Sequence, residues 1–500
     1  MKKYLSLLMI SSVLVLTNCT DALDEELLSI QEVDDFYKNK EEGELALAGV
    51  YAVLWTEYIY KDAYYVQLGD LPGETLSSIA QKNTYDLFDW TRSDARLQGL
   101  WSGCYLGISR ANTLIEKIEK STAAPADKNN IIGQAKFLRA LLYFNLVKAF
   151  GGVPLHINAT NDLTQIAKPR STDQETYAQI VADLKDAETR LSPFDQARHA
   201  AGYATAGAAK SLLAKVYLQN RQWDLAAAKA KEVIDLKVYS LFKDYAEIWD
   251  PAKKNGTEQI FSLQHNNGGD NNSNFGEHGV YYFAPNGFTL PGGVGIQFSK
   301  DGSSTVEVDQ KFFQSTPDNY RKWCSARNKM PRYFLVGTTT VVEDTVQTPH
   351  VYVPKYYFPD WKTGYLQTGV NLTLLRYSDV LLTYAEALNE IKGPTPEAYE
   401  AINLVRQRAR AVGTPQQQPG SIYPDLAGLS KEAFRSAVLA ERAIEFIAEG
   451  ERRNDLNRHD LLLKTANADG VKVAKPGYTL YPIPDVEISR NPQLKQNADY

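Results

Sequence analysis

Cysteine and histidine are too sparse in this chain to build metal or disulfide chemistry. Three cysteines stand among 500 residues, at positions 19, 104 and 324, and the six histidines fall without metal-ligand spacing. H-E-x-x-H, C-x-x-C, G-x-S-x-G and the phosphate-binding glycine loop are all missing, so the motifs of zinc peptidases, thiol redox proteins, serine hydrolases and nucleotide-binding enzymes are not met. No metal or cofactor is expected. Cys104 and Cys324 lie 220 positions apart, too few and too distant for a disulfide framework. Buried free thiols are the simpler expectation for them, with a single bridge left open. Positive charge is not in excess: 54 Lys and Arg face 60 Asp and Glu, for a net charge of −6. No basic patch interrupts this balance, which argues against nucleic acid as a partner. Long apolar runs are also missing. The stretch from Leu5 to Leu16 covers about a dozen residues, short of the roughly 20 needed to span a bilayer.

That stretch has another meaning. Lys2 and Lys3 precede it and Cys19 follows it, the pattern of a cleaved secretory signal. Leu16-Thr17-Asn18-Cys19 resembles a bacterial lipobox, although Asn18 stands where a small residue is usual. Residues 1–18 are then a lipoprotein signal peptide, and Cys19 becomes a lipidated N-terminus whose acyl chains hold a soluble body to a membrane. Removing the two positive charges of Lys2 and Lys3 takes the net charge from −6 to −8, and the acidic stretch from Asp21 to Glu26 becomes a polar leash.

The full chain of 500 residues is 44% hydrophobic and 23% charged, a globular composition. Helical spacing recurs at 32–57, 97–120 and 173–191. In 134–149, Ala135, Leu138, Leu141, Leu142, Phe144 and Val147 wrap most of the way round a helix. Such a helix is buried on several sides; it should stop at Gly151-Gly152, with Pro154 beyond. Residues 207–236 read as a helix hairpin with Ala226 and Ala230 at the close approach, and 376–412 repeats the pattern with Ala385 and Ala398. This spacing resembles a tetratricopeptide repeat. Residues 241–370 differ: the helical period fades into Gly, Asn, Pro and aromatics, with short strands expected at 259–264 and 350–357. Residues 430–464 return to helix.

The stretches FLRALLYFNLVKAFGGVPL, LLRYSDVLLTYAEALNE, ERAIEFIAEGERRNDLNR and the ending LYPIPDVEISRNPQLKQNADY, in this order behind a lipobox, resemble the SusD/RagB family of Bacteroidetes outer-membrane lipoproteins. DDFYKNKEEGELALAGVYAVLW and WSGCYLGISRAN agree with it. The resemblance implies a mainly α fold of about four tetratricopeptide-like hairpins with a loop-rich, strand-poor ligand-binding insertion. It divides the chain into 19–240, an N-terminal part with the repeats; 241–370, the irregular insertion; and 371–500, a C-terminal helical part. It also implies a non-catalytic lipoprotein exposed at the cell surface, which captures oligosaccharide, or peptide in some members, and passes it to a SusC-like TonB-dependent barrel. A surface glycoside hydrolase and a protein-binding scaffold are the competing readings.

The densest charge cluster bears on the enzyme reading. Glu441, Glu445 and Glu449 recur every four residues beside Arg442, Arg452, Arg453 and Asp455. Successive turns of one helix place carboxylates about 6 Å apart on a convex face, not across a sugar-sized cleft. A helix pinned by Glu–Arg bridges is the expectation. Arg139, Arg376 and Asp379 lie on otherwise apolar helices and should meet buried partners.

Thirty tyrosines, 18 phenylalanines and seven tryptophans remain to be sorted. Trp101, Tyr105, Tyr143, Phe144, Tyr217, Trp223 and Tyr384 fall on amphipathic faces and should be core. Aromatics in irregular stretches suit recognition, because a ring is apolar and a tyrosine hydroxyl stays wet. Residues 58–90 and 264–300 both mix such aromatics with Asp, Asn, Gln and Gly, and both are expected at the surface, meeting in one ligand face. Within it Tyr85, Tyr282 and Phe283 are the expected stacking residues, and Asp70 and Asn286 the hydrogen-bonding ones. Trp323 and Trp361 mark the alternative position.

Overall fold

The computed structural model describes residues 36–61, 64–79, 84–160, 166–192, 199, 202–265, 283, 288–289, 295–296, 305–336, 339–356, 369–471 and 475–500. Helices dominate. Helix α1 (Lys40–Tyr51) leads into α2 (Ala95–Glu119), α3 (Pro125–Phe150), α4 (Asp173–Arg190), α5 (Ala206–Gln219) and α6 (Trp223–Asp235). The C-terminal part supplies α7 (Tyr377–Lys392), α8 (Pro396–Ala409), α9 (Lys431–Glu445) and α10 (Arg452–Arg458). Each of α2 to α8 packs on the next, so the repeat stack runs without a break from the N-terminal part into the C-terminal one. This is the tetratricopeptide-like architecture expected of the sequence.

Local chemistry explains the boundaries. Asp94 caps α2 by accepting from Arg96 N at 2.8 Å. Pro125 opens α3, and Gly151, at φ +74°, ends it. Thr172 and Glu175 form a reciprocal capping box at the start of α4. From Ile131 to Phe150, α3 is buried at every position but Lys136, Asn145 and Lys148, as its wrapped apolar pattern requires. Arg139 within it forms a two-pronged pair with Asp183 of α4, at 2.6 and 2.8 Å. The small residues Ala226, Ala230, Ala385 and Ala398 are fully buried at the hairpin crossings. Trp101, Tyr143, Phe144 and Tyr217 are core, while Tyr105, Trp223 and Tyr384 are partly buried against it. Cys104 and Cys324 are free and buried.

The strands are few and mostly short. β1 (Leu76–Ser78) pairs antiparallel with β3 (Val306–Val308), and β2 (Gln259–Leu263) with β6 (Leu372–Arg376). A longer hairpin, β4 (Arg327–Val336) with β5 (Thr339–Tyr352), lies inside the segment expected to be irregular. The expected strand at 259–264 is β2; of 350–357, only the first three residues belong to β5, and Pro354–Tyr356 form a 3-10 turn.

The segment 58–90 departs most from expectation. It holds a short helix, Tyr64–Gly69, and β1, and much of it is core. Its polar groups, side-chain and backbone, find partners in the distant C-terminal segment. Asp70 accepts from Gly450 N at 2.8 Å and Arg452 N at 2.9 Å. Tyr481 donates to Leu68 O at 2.7 Å, and Trp90 Nε1 donates to the Tyr500 hydroxyl at 2.6 Å. Tyr85, Phe88, Trp90, Tyr478, Tyr481 and Tyr500 close into one aromatic cluster. A loop with satisfied backbone groups no longer has to face water.

Candidate functional site

The three expected ligand residues that are described do not lie at the surface. Tyr85 is fully buried, its hydroxyl donating to Asp94 at 2.9 Å. Asp70 is fully buried on its two backbone N–H partners, and burial pushes its carboxyl up to about 7. Phe283 is buried and stacks on Tyr356 with centroids 5.8 Å apart. These three positions are corrected from ligand contacts to packing residues. Tyr282, Asn286 and Trp361 lie outside the described residues. Trp323 is 55% exposed, with the Arg327 guanidinium 4.6 Å from its ring.

The Glu–Arg cluster is structural, as expected, but its form is different. Helix α9 ends at Glu445, and Glu449 follows in the turn beyond it. Glu441 and Glu445 are fully buried and meet Arg321 at 2.6 and 2.9 Å. Arg376 bridges Glu445, Glu258 and Glu449, each at 2.9 Å. Asp379 pairs with Arg442 at 2.7 Å and Lys215 at 3.0 Å. Carboxylates so fully engaged have no free oxygen geometry for a sugar cleft.

A surface site does exist beside the buried segment. The edge of β1 and β3, the chain from Asp86 to Asp89 and the turn around Asp469 enclose an open groove of about 1170 Å³. Leu76 and Phe88 form part of its wall, and Leu87, 41% exposed, lies along it. Tyr478 also lines it, its ring stacked on that of Tyr500 with centroids 5.0 Å apart. Six carboxylates line the groove, those of Glu74, Asp86, Asp89, Glu307, Asp309 and Asp469, against the two cations Lys311 and Lys475. Several are fixed. Asp86 accepts from Ser78 N at 2.9 Å; Asp309 caps the following helix through Lys311 N at 2.8 Å; Glu307 accepts from Gln310 at 3.1 Å. Glu74 is held by Arg452. Among the described residues no cluster of three or more His, Cys, Asp or Glu is arranged to hold a metal ion.

Sequence reasoning missed this groove because its residues come from three distant segments, none with a motif. One signal was present: Val306-Glu307-Val308 alternates with period two between polar neighbours, a strand pattern.

Asp86 gives the groove a measurable titration. Burial first, then the charges of Asp309 and Asp469, push its carboxyl up to about 6, against the opposing Ser78 N–H. A folded value above the ordinary 3.8 contributes stability below about pH 4 that is lost as pH rises through about 6. Asp86→Asn keeps an acceptor for Ser78 N but cannot ionise. Its urea midpoint should therefore rise relative to the parent between pH 4.5 and pH 7.5. An equal difference at both pH values would contradict the assignment.

The family described as "SusD family" matches residues 244–500, and the one described as "Starch-binding associating with outer membrane" matches residues 25–218. The chain is 28% identical to SusD-like protein P2 of Formosa agariphila, over 99% of each chain. Its fold superposes on a SusD homologue from Bacteroides thetaiotaomicron with a TM-score of 0.75 at 25% identity, covering 94% of this chain and 98% of the other. A laminarin-binding SusD-like protein gives a TM-score of 0.74 at 23% identity, covering 93% of this chain and 100% of the other.

Proposed function

The chain belongs to the SusD family, and from that premise we propose that it is a non-catalytic surface lipoprotein that holds oligosaccharide in the acidic groove and passes it to a SusC-like TonB-dependent barrel. The observation that carries the reading is the groove itself: open, about 1170 Å³, with apolar wall segments set among fixed hydrogen-bonding carboxylates. Sugars present both kinds of surface, C–H faces to apolar walls and hydroxyls to carboxylate acceptors. A structural relative of this chain is a laminarin-binding protein, which supports a neutral glycan. The charge balance supports it too. An excess of carboxylates repels uronates and sulfated chains, whose negative charges would face like charges in a partly desolvated groove. Tyr282 and Asn286 remain candidates for the ligand face as residues of the same insertion. In this reading 19–240 and 371–500 form the scaffold and supply most of the groove, and 241–370 adds Glu307, Asp309, Gln310 and Lys311 to it. The repeats face the barrel, and Cys19, outside the described residues, carries the lipid. Among the described residues no helix is long and apolar enough to cross a membrane.

The same acidity favours a second reading, a lysine- or arginine-rich peptide as ligand. Calorimetric titration with a neutral β-glucan, a polyuronate and a basic peptide separates the two. Binding of the glucan without release of reducing ends, and no binding of the polyuronate, is the expected result. Binding of the peptide alone transfers the site to the second reading, and sugar release overturns the non-catalytic assignment.

A further inference from the structure

A second cavity lies where the N-terminal helices meet the C-terminal part. This crevice of about 110 Å³ shares no lining residue with the groove. Lys148 of α3, Lys215 of α5, and Glu451 and Arg453 around the start of α10 bring charge to it. The carboxylates there are already taken. Lys215 meets Glu451 at 2.7 Å and Asp379 at 3.0 Å, and Glu449 is shared by Lys355 and Arg376.

Two cations are left without a counter-charge. Arg453 is 2% exposed and makes no ion pair among the described residues. Its Nη atoms donate to the carbonyl oxygens of Lys148 and Thr479, at 3.1 and 2.6 Å, and its buried Nε has no acceptor. The Lys148 ammonium lies 4.5 Å from the Phe144 ring and likewise makes no ion pair or hydrogen bond among the described residues. Desolvation, helped by the Lys215 and Arg453 charges and opposed by Glu451 and Asp379, brings its amine down to about 8. Arg453, buried against the Tyr481 ring at 4.1 Å, and half-buried Lys148 thus bring two like charges without ion pairs to one crevice, which is unfavourable unless something negative joins them.

We propose that this crevice is a binding site for a small monovalent anion, a halide or a small carboxylate, held between Lys148 and Arg453. The space is larger than one water requires, with Lys148 and Arg453 set among apolar walls, but too small for a sugar. The anion would neutralise the junction between the two family-matched parts of the chain, and its place is independent of the glycan reading.

The test is thermal melting of the full soluble chain at pH 7 in sodium chloride, sodium acetate and sodium gluconate at equal ionic strength. Gluconate is too bulky for the crevice and sets the baseline. Chloride should raise the melting temperature by about 2 °C or more over gluconate. The same gain in acetate assigns the site to small carboxylates as well, and its lack there restricts the site to halides. Lys148→Met should lose the chloride gain, yet melt no lower than the parent in gluconate because one of two neighbouring like charges is gone. A bromide-soaked crystal should show an anomalous peak between Lys148 Nζ and Arg453 Nε. Equal melting in all three salts, or a chloride gain that persists in Lys148→Met, would overturn the proposal, as would a crevice without bromide.

Discussion

Replacing Glu445 with glutamine should destabilise the fold by about 3–5 kcal/mol, the cost of removing one member of a buried ion-pair network. Glu445 is fully buried, and its carboxylate is the meeting point of Arg321, Arg376 and Arg408. Glutamine keeps the shape and one acceptor oxygen, but leaves the three guanidiniums sharing less negative charge in a space that water does not reach. Burial alone would raise the Glu445 carboxyl; Arg408, Arg376 and Arg321 outweigh it and hold the group well below the usual carboxylate range. A depressed folded value contributes stability above the unfolded value of 4.5 that is lost as pH falls below it. The gap between parent and Glu445→Gln should therefore narrow as the medium is acidified below about pH 4.5. The control is Glu487→Gln. That residue, 15% exposed, pairs at 2.9 Å with Arg490, which is 66% exposed, and a pair with one partner in water is worth about 0–1 kcal/mol. Urea unfolding of the two variants at pH 7 reads both effects, and a Glu445→Gln loss no larger than the control's would mean that the network is dispensable.

Gly69→Ala should cost about 3 kcal/mol, at the upper end of overpacking penalties. A Cβ at Gly69 would sit 2.2 Å from Gly450 O and 2.5 Å from its carbonyl carbon. Those are backbone atoms, so no side chain can swing aside; the two segments must separate. Separation would also pull Asp70 from Gly450 N and Arg452 N, and loosen the aromatic cluster below the groove. Gly49→Ala gives the contrast. Nothing lies within 4 Å of a Cβ there, and it is inside α1, where alanine gains about 0.5–1 kcal/mol over glycine. Opposite signs for the two alanines in the same unfolding assay are the expected result. A neutral Gly69→Ala would show that the clasp between 64–70 and 450–452 is not tight.

These two sites also show what was legible in the sequence. Period and punctuation carried the helices: the apolar pattern of α3, its stop at Gly151 and the Ala-rich crossings all read correctly because neighbouring residues determine them. The structural role of Glu441 and Glu445 was legible too, since helical spacing makes a sugar cleft on one face implausible. The segment 58–90 failed for the opposite reason. Nothing near Asp70, Tyr85 or Trp90 in sequence shows that residues 450–500 will cover them; their partners are about 380 to 410 positions away. An aromatic, polar stretch reads the same whether it faces water or a distant tail. The groove was illegible on the same ground: Asp86, Glu307 and Asp469 belong to one wall system only after β1 finds β3.

The most direct test of glycan capture in the groove is a calorimetric titration of a neutral β-glucan against the parent and Ser77→Trp. Ser77 sits half-buried at the middle of β1, opposite Glu307, and lines the groove. An indole there fills part of the cavity without touching the ion-pair network. With melting unchanged, the affinity for the glucan should fall at least tenfold, about 1.4 kcal/mol. A folded Ser77→Trp that binds the glucan as tightly as the parent would contradict capture at this groove.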